Sequence, residues 1–448
     1  MRNVSVAWLA GLILFVCPAT GFAFDNGPTW FDFHYTLDTP GARTLAMGGA
    51  ALATVDDAGA VLANPAALVR LRETQLRFDS AYLHRTARDR PGTGNPGSAE
   101  SIRLGLRVDR TRQLKPALMA LAVPLREGRS VFALFYHKLL PYDRSITVTD
   151  PLSGGVAETH NVMFDLDEFG FSVAQSLFDG RLALGLSASL VTLNMDIKVL
   201  RDPNPAPGRF EGTEFAGYGS QSEQEPLWRL GLLYRPNPVF AVGVRHEIAP
   251  NPDFTMTTAN SPETVAGGAS GGCSGDINLA VLADGTPTGN WICKSSFPLP
   301  ESTSLGLAYT PHAAWSFTAE ASYVDYARVT KELHAPYAYP GGGVTVPQAP
   351  EDFEAEAVVE LRLGLEHRTR FAQRPLALRC GYYFDPAHDI RYRGADATSR
   401  VIYPGGRDVH HFSVGAGLRF GGALQLDAAF AAADDRSQRG ALSLAYSY

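Results

Sequence analysis

The stretch "VVELRLGLEHR", residues 358–368, alternates without a break. Val359, Leu361, Leu363 and Leu365 fall on one face, and Glu360, Arg362, Gly364 and Glu366 on the other. Period two is the signature of a strand. What the charged row meets decides the fold. A soluble sandwich would bury it in a dry core, where unpaired charges are costly. A closed β-barrel in a membrane turns the apolar row to lipid and the charged row to a wet or partly filled lumen.

The same alternation recurs. "HHFSVGAGLRF" (410–420) sets Phe412, Val414, Ala416, Leu418 and Phe420 against His411, Ser413, Gly415, Gly417 and Arg419, and "TQLRFDSAYLHR" (74–85) sets Leu76, Phe78 and Tyr82 against Arg77 and Asp79. Further strand segments fall near 116–125, 129–140, 164–178, 181–198, 227–235, 239–248, 302–310, 315–328, 376–384, 423–432 and 439–448. Segment 101–108 has the opposite parity to 119–123. One inserted residue reconciles them, so 101–125 reads as one long bulged strand or a strand plus loop. The expectation is an all-β, transmembrane antiparallel barrel of about 14 strands.

Short turns at 126–129, 179–181, 236–238, 311–314 and 420–422 alternate with long connections at 141–160, 199–226, 249–301, 329–353 and 385–408. Membrane barrels keep short turns on one rim and long loops on the other. Arg229, Arg245 and Glu247 share the inward face with the 358–368 charges. Tyr234, Phe240, Tyr309, Trp315, Tyr323 and Tyr446 cluster toward strand ends, as an interfacial girdle would. The chain closes on the alternating "ALSLAYSY", whose aromatic end suits recognition by the barrel-assembly machinery.

The 448 residues carry a net charge of −7 with no basic tract, which argues against a nucleic-acid partner. Residues 1–23 read as a signal peptide: Arg2, an apolar core over Val4–Val16, Pro18, and small residues before a mature start at Phe24. Cys17 is poorly flanked for lipidation. Cys273 and Cys293 bracket a polar stretch and fit a disulfide in an oxidising compartment. A metal site there is the rival, but neither cysteine belongs to a close pair and no histidine lies between them. Cys380 sits within a strand pattern as a small hydrophobe.

Residues 24–72 lack strand alternation and precede the barrel, residues 73–448. A 14-stranded barrel is too wide for its own side chains to fill, so this segment is expected to fold inward as a plug with short helices. In "DDAGAVLANPAALVRL" (56–71), Ala58–Ala63 can make a helical turn with Asp56 or Asp57 capping its start. Asn64-Pro65 ends that turn, and Ala66–Leu71 leads into the first strand.

The stretch "MGGAALATVDDAGAVLANPAALVRL" resembles the N-terminal hatch of the FadL family of outer-membrane long-chain fatty-acid transporters. Downstream, "LKPALMALAVPL", "PLWRLGLLYRPNPVFAVGVRHE", "PLPESTSLGLAYTPHAAWSFTAEASYVDYA" and "LRLGLEHRTRFAQRPLALRCGYYFDPAHD" resemble the family's strands in order and spacing. The resemblance implies capture of a hydrophobic molecule by extracellular loops, a pocket beside the hatch, and sideways release into the membrane through a kinked early strand. Phe31, Phe33, Leu45, Met47, Leu52 and Val55 become pocket candidates, with plug packing as the alternative for each. Asp56, Asp57, Asn64, Pro65 and Ala66 would hold the hatch shape. Lys138, Arg229, Arg245, Arg362 and Arg379 are candidate partners for a fatty-acid carboxylate. The kinked strand corresponds to "SVFALFYHKLLPYDR" (130–144), which has no glycine, leaving Pro141 to end pairing there.

No catalytic, cofactor or metal site is expected. "AMGGAALA" has neither a preceding strand nor a following lysine for a phosphate loop. His410 and His411 point to opposite faces, "VDDAG" lacks calcium-loop spacing, and Ser413 near His411 has no further nucleophile context. The expected partners are long-chain fatty acids or other hydrophobic small molecules, together with outer-membrane lipids. The competing reading is a hatch-bearing barrel that binds a protein in a secretion or surface-attachment system.

Overall fold

Leu361 and Leu363 stand half exposed on the outside of the molecule, while Glu360, Arg362 and Glu366 between and beside them are buried. The alternation therefore resolves as apolar-out and polar-in. This computed structural model describes residues 39–85, 88–93, 103–108, 111–125, 129–150, 155–201, 216–219, 224–259, 273–281, 287–331, 352–394, 400 and 403–448.

Fourteen wall strands form the barrel. They are β1 (Gln75–Arg85), β2 (Thr111–Leu125), β3 (Ser130–Asp150), β4 (Gly155–Leu177), β5 (Leu182–Arg201), β6 (Gln224–Tyr234) and β7 (Phe240–Ile248). Then follow β8 (Glu301–His312), β9 (Trp315–Asp325), β10 (Val358–Phe371), β11 (Arg374–Asp385), β12 (Val409–Phe420), β13 (Leu424–Ala433) and β14 (Gln438–Ser447). Each pairs antiparallel with its neighbours, and β1 closes on β14 with Gln75 opposite Ser447. Closure removes the edges that lipid could not hydrogen-bond.

The outer surface carries Phe78, Phe132, Phe169, Phe171, Leu305, Leu363, Phe412 and Leu442, all exposed. Water would not tolerate so continuous an apolar belt, so this surface is built for lipid. Tyr234, Phe240, Tyr309, Trp315 and Tyr446 lie exposed near the rim of short turns, with Phe240 and Tyr309 stacked at 5.0 Å. Cys380 is free and exposed, directly across from outward-facing Val414. Among the described residues no helix is long and apolar enough to cross a bilayer.

Several expected boundaries move. The segment 101–125, expected as one long bulged strand or a strand plus loop, forms two strands. Arg103–Val108 pairs with Arg88–Thr93 and with the upper part of β3, while β2 alone forms the wall. The parity change is met by a bulge inside β2. Asp79 and Ser80 face Leu118 and Pro116, leaving Ala117 as the extra residue. The loop expected at 141–160 is mostly strand, because β3 and β4 stay paired out to Asp150 opposite Gly155. The connection 249–301 contributes three strands to a separate four-stranded sheet (216–219, 253–259, 273–281, 287–296). In that sheet Cys273 stands directly opposite Cys293 in backbone register; their side chains are not among the described residues. Nor is the rim alternation strict, since residues 434–437 join β13 to β14 by a short turn on the loop side.

Candidate functional site

Residues 41–71 run inside the barrel and touch strands around its circumference. Two short helices, α1 (Ala42–Ala46) and α2 (Ala60–Ala63), and a 3₁₀ turn (Pro65–Arg70) make up its regular structure. Helices this short are not stable alone, so the wall must supply what they lack. It does so through hydrogen bonds to exposed backbone. Ala42 N donates to Ser443 Oγ (2.7 Å), Leu52 N to Glu320 Oε2 (3.1 Å) and Ala58 N to Gln75 Oε1 (2.7 Å). Ser187 Oγ donates to the Val61 carbonyl (2.8 Å), and Arg245 Nη1 to that of Leu62 (3.0 Å).

Asn64 is the joint of this segment. It is extended (φ −162°), as a residue before proline should be, and ends α2. Its Oδ1 accepts from Ala66 N (3.1 Å), capping the turn that Pro65 begins. Its Nδ2 donates to the carbonyls of Leu52 (3.0 Å) and Leu232 (3.1 Å). The expected acidic cap of α2 is not made. Gly59 holds the N-cap position with no side-chain cap, and Asp57 Oδ1 instead accepts from Gly59 N (2.9 Å) in a turn before the helix.

Close approach is made possible by glycines on the lumenal face. A methyl at Gly185 would overlap Ala66 N, one at Gly231 would overlap Asn64 Oδ1, and one at Gly381 would overlap Gly48 N. A methyl at Gly364 would come within 2.7 Å of the Met47 carbonyl oxygen. Gly185 pairs with Gly231, and Gly364 with Gly381. Each pair clears a place where backbone lies on backbone. Nearer β2 and β3 the inner wall is apolar, and Leu118, Ala120, Ala122, Val131, Ala133 and Phe135 pack against Val61, Leu62, Ala66 and Leu68.

Other lumenal charges among the described residues pair in networks. Arg229 joins Glu168 (3.0 Å) to Glu247 (2.6 Å), with His137 on Glu168 (3.0 Å). Arg362 holds Glu360 (2.5 Å), which also accepts from Tyr326 (3.0 Å). Arg379 bridges Glu366 and Asp427, both at 2.6 Å. Pairing of this kind offsets the desolvation of each charge. Two networks extend into the inner segment: Arg43 pairs with Asp56 and with Glu366 (3.2 Å), and Asp57 pairs with Arg77. Burial pushes the Asp56 carboxyl up, but the guanidiniums of Arg43 and Arg70 outweigh it and hold it below the usual carboxylate range.

Of the pocket candidates, Met47, Leu52 and Val55 are buried where the inner segment meets the wall, and Leu45 is half-buried. Phe31 and Phe33 lie outside the described residues. Asp56, Asp57, Asn64, Pro65 and Ala66 all sit at the contacts just described. Arg229, Arg362 and Arg379 are committed to wall carboxylates. Lys138 is not a lumenal base: it lies on the outward face of β3, paired with Asp165 (3.4 Å) and Asp167 (2.9 Å). Ser413 Oγ accepts from Gly48 N and donates to the Ala46 carbonyl, both at 3.1 Å, so its hydroxyl serves the inner segment. A polar cavity of about 350 Å³ opens at the short-turn rim, lined by Asp56, Asp57, Arg70, Arg77, Gln75 and Asp427 among others. Its lining suits water, not an apolar molecule.

The wall itself has a seam. The β2–β3 ladder runs from Leu125 opposite Ser130 to Leu118 opposite His137 and stops there. Among the described residues no β2–β3 pair continues it, although β2 stays paired to β1 down to Thr111 and β3 to β4 throughout. Bulges explain the parting: Ala117 is extra on β2, and Leu139 is extra on β3, between Lys138 opposite Asp167 and Leu140 opposite Leu166. Pro141 does not end β3, as the sequence suggested; it pairs with Asp165. A strand bends without glycine when one residue is inserted.

No family model and no curated protein sequence matches the chain. Its structure is similar to a Pseudomonas aeruginosa FadL homologue at 14% identity, covering 93% of this chain and 99% of that one, with a TM-score of 0.63. It is also similar to the CymD monoaromatic hydrocarbon channel (14% identity, 93% and 99% coverage, TM-score 0.58). The Ralstonia pickettii toluene transporter TbuX matches at 16% identity over 92% of this chain and 99% of that one, with a TM-score of 0.54.

Proposed function

We propose that this chain, which has the FadL-type fold, is an outer-membrane transporter for passive uptake of hydrophobic small molecules. Long-chain fatty acids are the first choice of substrate and aromatic hydrocarbons the second. Residues 24–72 act as the hatch. The substrate is captured among the extracellular loops and reaches a site beside the hatch. It leaves sideways through the β2–β3 seam, entering lipid without crossing the polar passage below. The protein reaches the membrane by a cleaved signal peptide and the barrel-assembly machinery.

The seam is the observation that carries this reading. A lumen crossed by ion-pair networks offers an apolar molecule no favourable path along its axis, because each paired charge would have to be desolvated further. An interrupted ladder above the hatch offers a path through the wall. Transport needs no chemistry, and Ser413, the hydroxyl nearest to a catalytic reading, is engaged by the inner segment.

The test is uptake of labelled oleate by cells with and without the gene, beside mass spectrometry of lipids released from the purified protein. Faster uptake and bound fatty acid are expected. Equal uptake with a stable co-purifying protein would replace this reading with the secretion or attachment one.

A further inference from the structure

Four charged side chains meet at the seam. On β4 the exposed series Phe171, Phe169 continues as Asp167 and Asp165, while Gly170, Glu168 and Leu166 alternate inward and are buried. Both aspartates therefore stand on the lipid side of the wall. Tyr136 of β3 shares that face with Phe132 and Leu134 and donates to Asp167 (2.6 Å). Lys138 lies directly opposite Asp167 and bonds both carboxylates. Asn194 of β5 adds a longer contact to Asp167 (3.3 Å).

Lys115 comes from the other side. Leu114 of β2 is 72% exposed and pairs with outward-facing Tyr82, so Lys115 has the parity of the lumenal row. Its Nζ nevertheless lies 3.2 Å from Asp165 Oδ1. A lumenal lysine of β2 and an outward aspartate of β4 sit two strands apart. They meet where the β2–β3 ladder is missing, so this ion pair spans the seam from inside to outside.

We propose that Lys115, Lys138, Asp165 and Asp167 form a head-group site at the mouth of the seam, selective for a carboxylate on an otherwise apolar molecule. The inference rests on the uptake reading above and adds to it a place in the wall where a carboxylate-bearing chain is told from a neutral one. At rest the two aspartates occupy the two lysines. An arriving carboxylate takes over Lys115 from the lumenal side and then Lys138 on the outer side, while the released Asp167 keeps Tyr136 and Asn194 as partners. The exchange leaves the lysines paired throughout, whereas a neutral hydrocarbon has nothing to offer them. The cluster would be expensive at mid-bilayer. Its cost falls at the membrane interface, where a carboxylate head group also resides.

The test compares uptake of labelled oleate and labelled 1-hexadecanol by cells carrying the full-length chain. Rates are normalised to folded barrel, scored by heat-modifiable gel mobility. Lys115→Gln with Lys138→Gln should slow oleate about tenfold, the effect of losing one charge-assisted hydrogen bond, and should leave hexadecanol within about twofold. Lys115→Arg with Lys138→Arg should keep most of the oleate rate. Asp165→Asn with Asp167→Asn should tighten oleate binding to purified protein in equilibrium dialysis. Equal slowing of both probes, or no slowing of either, overturns the head-group site and leaves the uptake reading standing. A wild-type chain that moves neither probe overturns both.

Discussion

Asn64 Nδ2 lies 3.1 Å from the carbonyl oxygen of Leu232 on β6, and its Oδ1 caps the turn that carries Pro65 and Ala66. One buried amide therefore fixes both the fold of the inner segment and its seat on the wall. Asn64→Ala would remove the side-chain partner of the Leu52 carbonyl and of Ala66 N–H, at about 1–3 kcal/mol each, and cut the bond to the Leu232 carbonyl that seats the segment on β6. We expect a lower thermal transition and an increased ion conductance in planar bilayers. Wild-type conductance together with wild-type stability would show that the amide is not the joint.

The glycine contacts make a sharper prediction, because they separate the segment from the wall. Alanine or valine is welcome in a strand on its own account. Yet Gly381→Val would drive a side chain into Gly48, and Gly185→Val into Ala66. Each variant should still assemble a barrel, with a higher conductance than wild type. Gly440→Ala is the control, because its added methyl meets nothing nearer than 3.5 Å. A Gly381→Val protein as tight as Gly440→Ala would mean that the segment does not seal the lumen.

These residues also show how far the sequence could be read. Gly364 and Gly415 fall plainly on the charged face of their strands, and that parity settled which way the wall turns. Parity does not say why a glycine rather than a serine stands there. The inner segment supplies a reason, the Met47 carbonyl against Gly364 and the Ala46 methyl against Gly415, each more than 300 residues earlier in the chain, which period-two patterning does not register. Asn64-Pro65 was legible because its signal is local. The seam was not legible, since a bulge such as Leu139 shows only in the register against neighbouring strands. Lys138 was misplaced for the related reason that a basic residue in a barrel strand is expected to face inward.

Acid should loosen the inner segment through Asp56, which pairs with Arg43 and Arg70. Its carboxyl titrates below the usual value of roughly 3.9 in the folded state, because Arg43 and Arg70 outweigh the effect of burial. A depressed folded value contributes stability that is fully present above the unfolded value and lost as pH falls through the folded one. Conductance should stay flat between about pH 7 and 5 and rise below about pH 4. Asp56 keeps 36% of its side chain accessible, so the step should be modest. Asp56→Asn should remove the acid dependence, and an unchanged acid profile in that variant would assign the step to another group.

The cysteine pair can be settled chemically. Cys273 and Cys293 oppose each other across antiparallel strands, a placement that brings Cα atoms to within the span of a disulfide. Non-reducing peptide mapping of protein from the membrane should recover the two as one linked peptide. Alkylation of both without prior reduction would show them free.

Deleting Leu139 tests the seam without touching a charge. The bulge places it between Lys138 opposite Asp167 and Leu140 opposite Leu166, so its removal leaves the register on either side unchanged. The strand would then run straight, and its ladder to β2 could continue beyond His137. An ordinary ladder bond is worth only about 1 kcal/mol net in water, but an unpaired N–H or carbonyl facing lipid costs several kcal/mol, so the closed wall should be favoured. If molecules leave through the wall, uptake of oleate and of 1-hexadecanol should both fall, with the hatch still in place and conductance unchanged. A deletion protein that is folded, tight to ions and as fast as wild type for both probes would mean that the exit lies elsewhere.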